Sequence, residues 1–293
     1  MSITNNDKRA AELVQKTEIW PSETRLPEGV EQHEHIEENL NDAQLDVTYF
    51  TRTNTTELRP AIVFIHGGSW KHGDKKQFYR QAAYLAAKHN IFGVCIEYRL
   101  SGVAKFPAAL EDCKCAIRWT RSVAEKFQID TNRIGICGGS AGAHLSALAA
   151  TTNGVDAYEG KGPYQSFSSR VHPAILYNGH FVMNDQLKDH VQDQDMYDFF
   201  GGHPWEIPEV YGAASPFIRV CKDTPPMLFL HGDQDHYPHR QSISMGERLT
   251  HYGVYSEVEI YIGKGHAWFN REPDNQTTTE RMTEFVEKMF KLK

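Results

Sequence analysis

The pentapeptide Gly138-Gly139-Ser140-Ala141-Gly142 sits between an apolar run over 134–137 and a helix-forming stretch that begins at Ala143. A serine held on a sharp strand-to-helix turn presents its hydroxyl clear of the helix, and small neighbours let strand and helix approach closely. The chemistry open to such a serine is attack on a carbonyl. A hydroxyl is a weak nucleophile at neutral pH, so it needs a base, and the base needs an acid to orient it. In chain order the expected partners are an aspartate or glutamate and then a histidine. Ordinary small-residue turns also produce G-x-S-x-G, so the partners decide what it means.

Fifteen histidines are present, and position chooses among them. His266 lies in Gly263-Lys264-Gly265-His266-Ala267-Trp268-Phe269, just after a strand-like stretch over 258–262. For the acid, Leu230-His231-Gly232-Asp233-Gln234-Asp235 closes the apolar run over 227–230. Asp235 lies further out on its loop and is the expected acid; Asp233 is expected to fix the turn. Attack on an ester passes through a tetrahedral oxyanion, which preorganised N–H groups stabilise. His66-Gly67-Gly68-Ser69-Trp70 directly follows the apolar run over 61–65. The N–H groups of Gly68 and Ser69, with that of Ala141, are the expected oxyanion hole. Trp70 and Trp268 flank these segments and are candidates to line the substrate pocket, with packing as the alternative role.

These residues need a scaffold that brings loops from distant strands together. Strands are expected near 45–49 and over 61–65, 92–96, 134–137, 174–177, 227–230 and 258–262. Helices are expected over 76–89, 107–124, 141–151, 241–252 and 278–292, and a short one over 8–15. Short continuous apolar runs alternating with helices imply a mostly parallel sheet covered on both faces. Ligand chemistry in such sheets gathers at the carboxyl ends of the strands. Residues 1–44 read as a polar arm, and 45–293 as one catalytic domain. Between 180 and 215 the rhythm breaks into a polar and aromatic stretch with Met196, Tyr197, Phe199, Phe200, Trp205 and Tyr211, read as a small helical cap.

The net charge is −7, from 31 basic and 38 acidic residues, which argues against nucleic acid as a partner. No apolar stretch reaches the length of a membrane span, and the polar N-terminus lacks a signal-peptide core, so the expected compartment is the cytoplasm. An odd set of five cysteines in a chain this long argues against a disulfide framework. Cys95 and Cys137 fall in strand-like runs and read as buried packing residues. His231, Asp233, Asp235, His236 and His239, and His33 with His35, carry no recognised metal-ligand spacing, so no metal is expected. No cofactor is required.

The run HGGSW, then Glu97-Tyr98-Arg99-Leu100, Phe106-Pro107-Ala108, GGSAGAHL, HGDQD and GKGHAWF resembles the α/β-hydrolase esterases over residues 45–293. It looks most like the carbohydrate-esterase group that includes acetylxylan and feruloyl esterases. It is also similar to hormone-sensitive-lipase-like esterases and to kynurenine formamidase. The resemblance implies Ser140, Asp235 and His266 as a triad acting on a small-molecule or carbohydrate ester, of acetyl or feruloyl type. Ser69-Trp70, where hormone-sensitive-lipase-like esterases usually carry a third glycine, is closer to the xylan-esterase and formamidase pattern. Amide cleavage by an arylformamidase-type enzyme is the alternative reading. An inactive hydrolase-fold binding protein is another, and a homodimer is an open expectation.

Overall fold

The computed structural model describes residues 25–37, 43–183 and 194–292. The helix expected over 8–15, the start of the arm at Trp20-Pro21 and residues 184–193 of the expected cap lie outside them.

Eight strands form one sheet. They are β1 (Val30–Glu37), β2 (Leu45–Arg52), β3 (Arg59–Ile65), β4 (Phe92–Glu97), β5 (Ile129–Gly139), β6 (Ala174–Tyr177), β7 (Met227–Gly232) and β8 (Ser256–Tyr261). Their spatial order is β1-β2-β4-β3-β5-β6-β7-β8. β2 runs antiparallel to both of its neighbours, and every pairing from β4 to β8 is parallel. This is the mostly parallel sheet that the alternating runs predict.

The apolar runs are continuous because both faces are covered. In β3, Val63 and Ile65 pack towards α2 (Ala108–Ser122) and α4 (Ala141–Thr151). Ile62 and Phe64 pack on the other side towards α1 (Tyr79–His89) and α9 (Asp274–Phe290). Each fully buried side chain of this kind contributes about 1.5–3 kcal/mol. Cys95 and Cys137 lie in the second of these layers. All five cysteines are free thiols, and only Cys221 is exposed.

β1 departs from the expected irregular arm. Its sequence, VEQHEHIE, is charged and largely exposed, as suits an edge strand that must not recruit another chain. His33 stacks on Tyr49, with ring centroids 5.1 Å apart, and His35 on Trp119, at 5.0 Å. These two histidines are therefore packing residues of the edge. With β1 on its flank, β2 is more deeply buried than its alternating sequence suggests.

The register positions the chemistry. Ile65 pairs with Gly138, Gly139 with Tyr177, Tyr177 with Leu230, and Gly232 with Tyr261. The loops after β3, β5, β6, β7 and β8 therefore emerge side by side at the carboxyl end of the sheet. Within the expected cap, α5 (Gln194–Phe200) and α6 (Pro208–Ala213) form short helices, and α7 (Pro216–Arg219) follows just past its expected end at residue 215. α3 (Ala124–Phe127) follows α2, and α8 (Arg240–His251) follows the loop after β7. No helix among the described residues is long and apolar enough to cross a membrane.

Candidate active site

Ser140 joins β5 to α4 with φ 54° and ψ −119°, a backbone conformation that a β-carbon disfavours. Its neighbours make the turn affordable. A β-carbon on Gly142 would stand 2.1 Å from the Ile65 carbonyl oxygen, and one on Gly138 would stand 2.3 Å from that of Gly142. α4, β5 and β3 can thus close on one another only with glycine at both positions. The Ser140 N–H donates to the Tyr177 carbonyl at 2.9 Å, so β6 also holds the turn.

His266 Nε2 lies 2.8 Å from Ser140 Oγ. Its Nδ1 lies 2.9 Å from both carboxylate oxygens of Asp235. The loops that carry His266 and Asp235 are stitched together. Asp233 accepts the Gly263 N–H at 2.6 Å, and the Gln234 N–H donates to the Lys264 carbonyl at 3.0 Å. Asp233 therefore holds a turn, and Asp235 reaches the histidine. The Asp235 side chain is fully buried. Burial pushes its pKa up, but the His266 hydrogen bond and the neighbouring His266 and His231 outweigh this and hold it below the ordinary carboxylate range.

The loop after β3 carries consecutive left-handed residues, Gly68 at φ 118°, Ser69 at 52° and Trp70 at 57°. The N–H groups of Lys71 and His72 both donate to the Gly68 carbonyl. Among the described residues, the N–H groups of Gly68, Ser69 and Ala141 meet no acceptor. The buried His66 braces the loop from below. It stacks on Tyr98 at 4.3 Å, its Nδ1 lies 2.7 Å from the Gly67 carbonyl and its Nε2 3.1 Å from Glu97.

Both tryptophans expected at the pocket wall are buried, Trp70 to 2% exposed and Trp268 to 7%, which favours packing for each. Trp70 stacks on Phe199 of α5 with centroids 4.8 Å apart, and its Nε1–H donates to His144 Nδ1 at 3.1 Å. His144 Nε2 lies 2.8 Å from the Ala214 carbonyl, just past α6. Burial lowers the His144 pKa to about 4, so the ring is neutral and accepts with one nitrogen while donating with the other. Lys71 adds ion pairs to Asp195 and Asp198 of α5, each at 3.0 Å. The inserted helices thus grip the glycine loop from outside. Trp268 packs against Tyr261 and Phe269.

Two residues of the site escaped the sequence reading. His144 follows the serine by one helical turn and is legible only as a polar residue on an otherwise apolar helix. Asn178, just past β6, places its amide nitrogen 2.9 Å from His266 Nδ1 and 3.3 Å from Nε2.

The BD-FAE family profile matches residues 45–249. Esterase LipC of Mycobacterium tuberculosis is 32% identical over 247 residues, covering 78% of this chain and 60% of that protein. The chain spans about half the length of the curated relatives it matches, 60%, 50% and 44% of the first three. Among solved structures, the butyrate-bound thermophilic esterase Est2 of Thermogutta terrifontis superposes with a TM-score of 0.75 at 28% identity, covering 92% of this chain and 99% of that one. A bifunctional GH43-CE protein of Bacteroides eggerthii gives a TM-score of 0.72 at 29% identity, over 85% of this chain and 36% of that one.

Proposed function

Because this chain belongs to the BD-FAE family of α/β-hydrolases, we propose that it is a serine carboxylic-ester hydrolase working through an acyl-enzyme on short-chain or carbohydrate-linked esters. The observation that carries this reading is the unbroken line from Ser140 Oγ through the His266 imidazole to the Asp235 carboxylate, 2.8 Å and then 2.9 Å.

In this reading His266 Nε2 takes the hydroxyl proton as Ser140 Oγ attacks the ester carbonyl. Asp235, kept ionised, accepts from Nδ1–H, fixes the tautomer and stabilises the imidazolium. The N–H groups of Gly68, Ser69 and Ala141 receive the oxyanion; one such donor is typically worth about 3–4 kcal/mol of transition-state stabilisation. The alcohol leaves with the proton from His266. Water, deprotonated by the same histidine, then releases the acid. The helices of residues 180–215 act as a small cap that braces the glycine loop. The butyrate of Est2 and the carbohydrate-esterase part of the Bacteroides protein support the two arms of the substrate proposal.

The test compares the purified chain with Ser140→Ala on p-nitrophenyl acetate and butyrate, acetylated xylan, methyl ferulate and an arylformamide. Ester hydrolysis by the parent alone, with an organophosphonate adduct on Ser140, supports the reading. Failure on every ester with Ser140 unlabelled ends it, and activity confined to the arylformamide replaces it with amide cleavage.

A further inference from the structure

Asp235, His236 and His266 each offer one ligand atom, and these atoms lie within 4.8 Å of one another. The Asp235 carboxylate is 2.9 Å from His266 Nδ1 and 3.5 Å from His236 Nδ1. The two imidazole rings are tilted by 57° with centroids 4.4 Å apart. The His236 side chain is 62% exposed, so solvent reaches the trio from that side. No sequence spacing announces this arrangement, because the third ligand comes from the loop after β8 and the other two from the loop after β7.

We propose that a divalent transition-metal cation of the zinc type binds Asp235, His236 and His266 and inhibits the enzyme. The inhibition rests on the hydrolase reading above; the binding does not. Two imidazoles and a carboxylate are a borderline-soft donor set that suits Zn2+, whereas Mg2+ and Ca2+ prefer all-oxygen shells. Zinc bonds of ~2.0–2.2 Å hold ligand atoms roughly 3.3 Å apart in a tetrahedron. Closing the trio to that spacing takes a shift on the order of 1 Å, which rotation of the exposed His236 side chain can supply. A water completes the shell.

The inhibitory step follows from where Asp235 stands. It faces Nδ1 of His266, so a cation shared with Asp235 binds that nitrogen. The Nδ1–H bond breaks, the metal–Nδ1 bond forms, and the displaced proton is taken up at Nε2 by exchange with water. His266 stays neutral with its single proton on Nε2. That nitrogen then donates towards Ser140 Oγ and can no longer accept its proton. The base is lost while the serine, the oxyanion loop and the fold remain intact.

The experiment uses zinc chloride as the probe and magnesium chloride as its control. Zn2+ is expected to inhibit hydrolysis of a short p-nitrophenyl ester by the parent chain, chelation is expected to restore it, and Mg2+ is expected to have no effect. His236→Gln is expected to keep the parent's basal rate and to need at least ~10-fold more Zn2+ for half inhibition, the scale on which lost ligand-sphere groups weaken metal sites. Calorimetry on Ser140→Ala, which retains all three ligands, reads binding without catalysis, and adding His236→Gln is expected to weaken that binding of one Zn2+ by the same factor of at least ~10. Equal Zn2+ sensitivity of parent and His236→Gln, or an unaffected parent at roughly 1 mM Zn2+, the weak end of specific binding, overturns the proposal. Should no ester be hydrolysed at all, that failure belongs to the functional reading, and the calorimetric comparison alone decides the metal site.

Discussion

Asn178 lies against His266, its amide nitrogen 2.9 Å from Nδ1, while its Oδ1 is buried with no hydrogen-bond partner among the described residues. Its own N–H donates to the Leu230 carbonyl at 2.8 Å, and the preceding Tyr177 carbonyl accepts from Ser140. Asn178 thus stands between the Ser140 turn and the Asp235 loop, with φ 38°, a left-handed backbone that asparagine tolerates better than most residues. Rotating the amide by a half-turn puts Oδ1 against the imidazole and removes the opposition of two donors. In the proposed mechanism, an oxygen there favours the imidazolium that forms as Ser140 attacks. Asn178→Ala is therefore expected to lower kcat roughly 10-fold or more, with KM little changed. Asn178→Asp, which puts a charged acceptor beside the ring, is expected to move the acid limb of the pH–rate profile to higher pH. A purely structural role would leave that limb where it is.

Trp70 and His144 give a second test, because the burial of Trp70 separates two roles. Trp70→Phe keeps a ring to stack on Phe199 but leaves His144 Nδ1 buried and unpaired, at a cost of about 1–3 kcal/mol. The expected outcome is a lower urea midpoint with unchanged acyl-chain preference. If Trp70 instead touches substrate, KM shifts selectively across an acetate-to-hexanoate series and the midpoint stays put.

What the sequence made legible follows from which residues are chemically conspicuous. Ser140 and Asp235 each follow a continuous apolar run and His266 follows the strand-like stretch over 258–262, a pattern that already places them at the carboxyl ends of parallel strands. Asp233 and Asp235 could be told apart only by reach along the loop, and the Asp233–Gly263 hydrogen bond gives the physical content of that difference. Asn178 carries no such mark, because an asparagine after a four-residue strand reads as an ordinary turn. β1 was hidden for the opposite reason. An edge strand protected by charge shows little apolar signal, and the stacking of His33 and His35 on the sheet depends on partners far along the chain. Trp70 was drawn towards the substrate by its position beside the glycines, whereas its packing depends on Phe199 and His144, which no local pattern connects to it.

The close approach at Gly142 yields a prediction about folding. A β-carbon there would meet the Ile65 carbonyl at 2.1 Å and that of His66 at 2.5 Å, both main-chain atoms that cannot move aside independently. Gly142→Ala must therefore push α4 away from β3 and drag Ser140 with it. The expected result is a loss of more than ~3 kcal/mol of stability, at the severe end for overpacking, and little soluble protein. Recovery of a chain with the parent's melting temperature and esterase rate would show that the two elements are not so closely apposed.

Acid sensitivity follows from two buried histidines. Burial lowers the folded-state pKa of both His144 and His231 to about 4. The unfolded chain takes up a proton at each near pH 6.5. The sign is fixed by which state binds more protons. Between pH 6.5 and about 4 the unfolded chain is the more protonated, so stability is fully present above pH 6.5 and declines as the pH falls through that window. Each histidine contributes a slope of roughly 1 kcal/mol per pH unit in the middle of the window. His89 and His172, also shifted down by burial, act in the same sense. Asp235, held below the ordinary carboxylate range, loses its contribution only at still lower pH. Urea midpoints measured from pH 7 to pH 4.5 are expected to fall steadily. His144→Gln offers an acceptor to Trp70 and a donor to Ala214 without titrating, so it is expected to flatten the decline by about the share of one histidine. A parent midpoint that holds constant across the window would mean that neither imidazole is kept neutral by the fold.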